Sequence, residues 1–244
     1  MKRSSLFGLA AVLAACSAPA PQPTVLVGAR LFDGSGADPV QHSVVVVEGG
    51  FIRSAGPQSH TPVPAGSEKV NGSGKYLVPA PVAPPEDLRL DEPATVEELL
   101  AALDRGAKAF RGVPDGALDP SLLWRLKEEN VVVVLPADTI ALLNLAALIR
   151  SGVTIAVFDE PEAPRARQLL LDAGMSPHEL LLASTRNAAL VAGLSNRTGQ
   201  IRAGMAADLL VLSDDPLTDP SSFDRPERIM RGGKWGAEAN AALR

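Results

Sequence analysis

Imidazole nitrogen, thiolate sulfur and carboxylate oxygen are the side-chain atoms that bind metals or move protons, and this 244-residue chain spreads them thinly. It has three histidines, His42, His60 and His178, and one cysteine, Cys16. His42 precedes a β-like run, His60 lies in a proline-rich stretch, and His178 is the second residue of a helix opened by Ser176-Pro177-His178-Glu179. All three read as solvent-facing. Ser184 and Thr185 carry hydroxyls, but a nucleophile needs an adjacent base, and none is visible. The acids of interest are Asp87 and the pair Asp159 and Glu160, which follows the apolar run 153–158. They read either as helix caps and solvated loop acids or as parts of a catalytic set. A catalytic zinc takes about three protein ligands and one open position, which a lone carboxylate does not supply.

The elements that position these residues change period along the chain. Residues 25–31, 43–48 and 51–55 are β-like, with Gly49-Gly50 supplying a two-residue hairpin turn. Residues 58–66 read as a loop, and 75–82 as a strand leading into a central domain. There helices and strands alternate. Thr95 and Glu98 fit a capping box for a helix to about Arg105, and Asp119-Pro120 opens another. Residues 107–113, 131–135 and 153–158 are strands, with a helix over 139–151 before the last. Ser176 and Glu179 form a second capping box, stapled by Met175 and Leu180, for a helix ending near Gly193; residues 207–212 and 228–231 return to β. Strands separated by single helices pair in parallel. The centre holds about four of them, whereas a closed barrel takes eight strands and about 250 residues. The expectation is an α/β fold with an open sheet or partial barrel, whose edges need cover from helices or from a second chain.

Two stretches, VLVGARLFDGSG (25–36) and GQIRAGMAADLLVLSDDP (199–216), resemble the flanking strands of the metal-dependent amidohydrolase superfamily, in the manner of its imidazolonepropionase-like composite domains. That family brackets a catalytic barrel between two halves of a small β-sandwich. The resemblance implies a composite sandwich from 24–74 and 195–244 around a truncated barrel-like domain, 75–194. Asp208, Gly199, Gly204, Gly232 and Gly233 match turn-shaping positions, and Asn187 a structural one. The functional positions differ. The His-x-His pair falls on Pro85 and Asp87. The carboxylated lysine falls on Arg111, whose guanidinium stays protonated. A ligand histidine falls on Pro136, and the last aspartate on Asp159 or Glu160 across a one-residue gap. The resemblance therefore implies a scaffold kept and a divalent-metal site, zinc for example, lost, so no cofactor is expected. Without a metal, bound water keeps its high pKa.

Residues 1–15 read as a secretory signal: Lys2 and Arg3, then an apolar run over 6–13 too short for a bilayer, which takes about 20 residues. Leu13-Ala14-Ala15-Cys16 resembles the lipobox of bacterial lipoproteins, which implies lipid attachment at Cys16 and a stiff tether over 16–23. Ser17 is similar to lipoproteins sent to the outer membrane of a two-membrane bacterium. One cysteine permits no intramolecular disulfide. A net charge of -5 and the lack of a basic stripe argue against nucleic acid as a partner. The leading expectation is a lipid-anchored protein on the periplasmic or extracellular face of the cell envelope. It would be catalytically silent alone and act as a binding or assembly module, with a homo- or hetero-oligomer covering its sheet edges. The rival is a hydrolase of non-peptide carbon–nitrogen bonds whose site a partner chain completes, with Asp87, Asp159 and Glu160 as oxygen ligands for a hard cation. A third reading, a substrate-binding lipoprotein, requires a cleft between two lobes.

Overall fold

The computed structural model describes residues 22–114, 119–136 and 145–236. The signal and lipid-attachment expectations, Cys16 included, most of the tether and the first half of the helix over 139–151 lie outside them. Among the described residues no helix is long and apolar enough to cross a membrane.

Two sheets build the sandwich. The first pairs β1 (Thr24–Val27), β3 (Ser43–Glu48), β4 (Phe51–Pro57) and β5 (Glu68–Asn71) in the order β4-β3-β1-β5. The second runs β12-β11-β10-β6-β2, from β2 (Arg30–Leu31), β6 (Tyr76–Pro79), β10 (Leu209–Leu212), β11 (Arg228–Arg231) and β12 (Lys234–Trp235). Leu26, Val45 and Ile52 of one sheet meet Leu31, Leu77, Leu209 and Met230 of the other in a common buried cluster. Gly49 and Gly50, at φ 60° and 89°, make the expected hairpin turn between β3 and β4. The run expected as one strand over 25–31 is split, because Gly28 at φ 92° turns the chain out of the first sheet and into the second. The strand β5 was not expected. Its Glu-Lys-Val-Asn sequence has no apolar alternation, and parallel pairing with β1 holds it at the sheet edge.

The central sheet has three parallel strands in the order β7-β8-β9: Ala109–Arg111, Val132–Val134 and Thr154–Ala156. The fourth strand expected there, at 75–82, is β6, and it belongs to the sandwich, where Leu77 pairs with Val211. Helices α1 (Val96–Asp104), α2 (Pro120–Glu128), α3 (Leu145–Ser151) and α4 (Ala163–Asp172) alternate with or follow the strands. Phe110, Val133 and Ile155 bury one face of the sheet against Leu99, Leu126, Leu148 and Leu170 of these helices. Each such fully buried side chain contributes about 1.5–3 kcal/mol. At α1, Thr95 accepts from the Glu98 amide at 3.2 Å, but the Glu98 carboxylate takes the Ala94 amide rather than that of Thr95, so the expected box is not reciprocal.

The open sheet covers its own edges. A helical run follows α4: α5 (Pro177–Leu182), a π-helical turn (Ala183–Asn187) and α6 (Ala188–Val191). Its π turn lies along β9, where the Asn187 side-chain amide donates to the Ile155 carbonyl at 2.8 Å and the Val157 amide donates to the Ala183 carbonyl. At the other edge the Arg111 amide donates to the Asp91 carbonyl at 3.0 Å. Replacing Asn187 with alanine leaves a strand carbonyl without its partner, and the expected loss is about 1–2 kcal/mol in a denaturant titration.

The capping box at α5 forms as expected. Ser176 accepts from the Glu179 amide, while the Glu179 carboxylate accepts from the Ser176 amide and hydroxyl. The Ser176 hydroxyl, then its amide, hold the Glu179 carboxyl below the ordinary glutamate range. A depressed folded pKa stabilises at pH values above the unfolded one, about 4.3, and that contribution is lost as pH falls through the folded value. Ser176→Ala is expected to lower stability by about 1 kcal/mol at pH 7. The deficit should shrink at pH 3, which parallel urea titrations at the two pH values check.

Candidate functional site

In a parallel (β/α) barrel, chemistry sits at the C-terminal ends of the strands. Here those ends carry Arg111 on β7, Pro136 just beyond β8, and Asp159 and Glu160 just beyond β9. The strand that would flank β9 in a barrel is replaced by residues 80–91. The Val82 amide donates to the Ser184 carbonyl, the Asp159 amide donates to the Val82 carbonyl at 2.9 Å, and nine residues later Asp91 bridges to Phe110 on the opposite edge. The chain thus passes from the β9 edge to the β7 edge. Leu88 and Leu90 pack on the face formed by Val132, Val134, Ala156 and Phe158, together with Val82, Ala188 and Ala189. A barrel would leave that face inward. In this chain its own apolar side chains fill it.

The polar residues at this end are arranged as ion pairs. The Arg111 guanidinium lies between Glu92 and Glu160, 3.5 Å from each. Asp159 faces Arg231 of β11 at 3.9 Å. Asp159 and Glu160 therefore each have a guanidinium as neighbour, and Glu160 keeps 29% of its side chain exposed and Asp159 35%. Asp87 is exposed in a turn, and Pro85, half-buried beside it, has only its carbonyl in use, accepting from Leu88. Pro136 is half-buried and brings no donor atom.

Of the residues singled out from sequence, the fold brings Arg111 and Glu160 together with Asp159 next in the chain, and leaves Pro85, Asp87 and Pro136 outside these pairs. His42, at φ 47°, and His60, whose Nδ1 is 2.8 Å from the Ser59 hydroxyl, are exposed on sandwich loops. His178 is half-buried at the start of α5, against a small hollow that Phe32 and Leu181 also line. Ser184 and Thr185 are buried in the π turn, where Thr185 donates to the Leu181 carbonyl at 2.6 Å. Among the described residues no three His, Cys, Asp or Glu side chains converge on one point. Among the described residues the acids at this end, Asp159 and Glu160, each lie beside a guanidinium, and none of the three imidazoles joins them in a ligand cluster.

Two arginines were missed from sequence. Arg231 ends an unremarkable β run. Arg167 had a signal: Ala163, Ala166 and Leu170 mark the buried face of α4, and Arg167 falls on it, a charge at an apolar position. Its Nη2 pairs with Asp224, in a 3-10 turn (Pro220–Asp224), and its guanidinium lies 5.4 Å from the centre of the Phe223 ring.

Residues 117–236 match the model of the amidohydrolase family. Ochratoxinase of Aspergillus niger is 36% identical over 109 residues, a match covering 37% of this chain and 23% of that protein. Imidazolonepropionase of Shouchella clausii is 32% identical over 142 residues, covering 51% of this chain and 32% of the other. The matches thus span about a quarter to a third of these relatives' length. Among solved structures, molinate hydrolase superposes with a TM-score of 0.73 at 12% identity, over 92% of this chain and 97% of the other. Ochratoxinase of A. niger superposes at 0.66 and 15%, over 88% and 95%. At such identities the likeness is one of fold, with the three-stranded open sheet corresponding to part of a barrel. Residues 117–236 thus match the amidohydrolase family, and the described chain shares the fold of these solved hydrolases with an open sheet in place of a closed barrel.

Proposed function

We propose that this protein is a lipid-tethered amidohydrolase relative that does not hydrolyse amides by itself and serves as a binding or assembly module of the cell envelope. The observation that carries the silence is the Arg111–Glu160 pair. A fixed guanidinium stands where the resemblance puts a metal-bridging carboxylated lysine, and it neutralises the acid beside it. A protonated guanidinium cannot take up carbon dioxide and repels a divalent cation. With no metal to acidify water, the carboxylate has no hydroxide to deliver. The anchor reading rests on Leu13-Ala14-Ala15-Cys16. Two acyl signals or more hold a protein firmly on a membrane.

The test measures metal and activity on the full chain purified without chelator, alone and mixed with a full-length amidohydrolase of the same envelope. The expected result is less than one-tenth of an equivalent of zinc, manganese, cobalt or iron, and no hydrolysis of amide or cyclic amide substrates. Stoichiometric metal with turnover overturns the reading in favour of a working hydrolase, and turnover only in the mixture favours a site completed by a partner chain. Growth with labelled palmitate checks the anchor: the wild-type chain should carry label and partition into membranes, and Cys16→Ser should do neither.

A further inference from the structure

The junction between the barrel remnant and the second sandwich sheet holds a cleft of about 230 Å³, lined by Asp159, Arg167, Phe223, Ile229, Arg231 and four prolines among others. Arg167 is its unusual member. The side chain is 5% exposed, and although Nη2 pairs with Asp224, both Nε and Nη1 are buried without a hydrogen-bond partner. A buried charged donor left unmet is strongly unfavourable, so a native fold that keeps one implies a group that meets it. That group has to be an acceptor, since guanidinium only donates.

We propose that this cleft binds a small apolar monocarboxylic acid, its carboxylate meeting the open N–H groups of Arg167 and its body lying against Phe223, Ile229 and the prolines. Charge chooses the class. Asp159, Glu160 and Asp224 share the lining with Arg167 and Arg231, and Glu160 is paired with Arg111 outside it, so three carboxylates face three guanidinium groups. Such a balanced field disfavours a doubly charged anion such as phosphate and admits a single charge drawn to Arg167. Size agrees, since the cleft lies below the range of about 300–1,000 Å³ usual for drug-sized ligands. The walls agree as well, with an aromatic face, an isoleucine and proline rings beside Arg167. The inference goes beyond the loss of hydrolysis and stands whether or not the chain turns over a substrate.

The experiment titrates the full chain with benzoate, methyl benzoate and inorganic phosphate by calorimetry, and follows the Arg167 Nε–H resonance in labelled protein. Saturable benzoate binding that moves that resonance is expected, with methyl benzoate at least tenfold weaker and phosphate weaker still. The double variant R167M/D224L removes the buried pair together and should lose binding by at least tenfold. Ile229→Trp fills the cleft and should do the same while leaving Arg167 and Asp224 in place, so the test survives if the double variant does not fold. Equal binding of the ester, tighter binding of phosphate, undiminished benzoate binding by Ile229→Trp, or no saturable binding with an unmoved Arg167 resonance would each overturn the proposal. The last outcome would leave water as the partner of the open donors.

Discussion

Asp224→Ala is expected to lower the unfolding free energy by about 3 kcal/mol, read as a shift of the urea midpoint at constant slope. Arg167 is almost wholly out of water, and among the described residues Asp224 is its only charged partner, with Nε and Nη1 already unmet. Removing that carboxylate strands a buried guanidinium, for which about 3–5 kcal/mol is usual; the 21% exposure of the Asp224 side chain places this case at the lower end. Stacking on Phe223 retains part of the guanidinium's stabilisation, since a cation over a ring contributes about 0.5–2 kcal/mol. The converse change separates the pair's presence from its stability. R167M/D224L exchanges the ions for apolar side chains of similar length, and such exchanges are commonly neutral or stabilising. If Asp224→Ala is mild, Arg167 is hydrated in solution and the buried-charge argument fails. If the double variant is as unstable as the single one, the lost element is packing rather than charge.

The parts of this architecture legible in the sequence are those that local chemistry decides. Gly49-Gly50 dictates its hairpin because both residues need positive φ, and Ser176-x-x-Glu179 dictates its helix start through two side-chain hydrogen bonds. The β-branched run at Val132–Val134 is buried on both faces as its composition predicts. What the sequence conceals is partner choice. Residues 76–79 look like a fourth barrel strand, and they are apolar for a different sheet, since Leu77 and Val78 face β10 and not β9. Polar β5 shows no period at all. At the site, Arg111 itself is visible in one dimension, but its pairing with Glu160 depends on the parallel register that sets β7 and β9 either side of β8. Arg167 shows the converse case, in which a helix period exposes a misplaced charge and only the fold reveals the cleft beside it.

The joint between sandwich and barrel remnant supplies the other large effect. Gly199, at φ 88°, follows the helical run that seals the β9 edge and precedes Gln200 and Ile201, which reach back to the first half of the sandwich: the Ile201 amide donates to the Asp33 carbonyl at 2.9 Å, and the Gln200 side chain donates to the Gly34 carbonyl. A Cβ at Gly199 would sit 2.7 Å from the Ala189 Cβ and 3.0 Å from the Thr185 carbonyl oxygen, both parts of a packed helix that cannot yield as a flexible side-chain end would. Gly199→Ala therefore combines the left-handed backbone penalty, about 1–2 kcal/mol, with overpacking of about 1–3 kcal/mol, and the expected loss is about 3 kcal/mol. Gly204→Ala separates the two contributions within the same molecule. Its φ is 87°, yet nothing lies within 4 Å of the added carbon, so only the backbone penalty applies and the loss should be about 1–2 kcal/mol. Urea titrations of both variants measure the difference. Equal losses would mean that the helix relaxes away from Gly199 without penalty and that close approach does not fix the joint. A larger loss at Gly199, with amide exchange quickened at both Val157 and Ile201, would show that one glycine couples the seal of the open sheet to the closure of the sandwich.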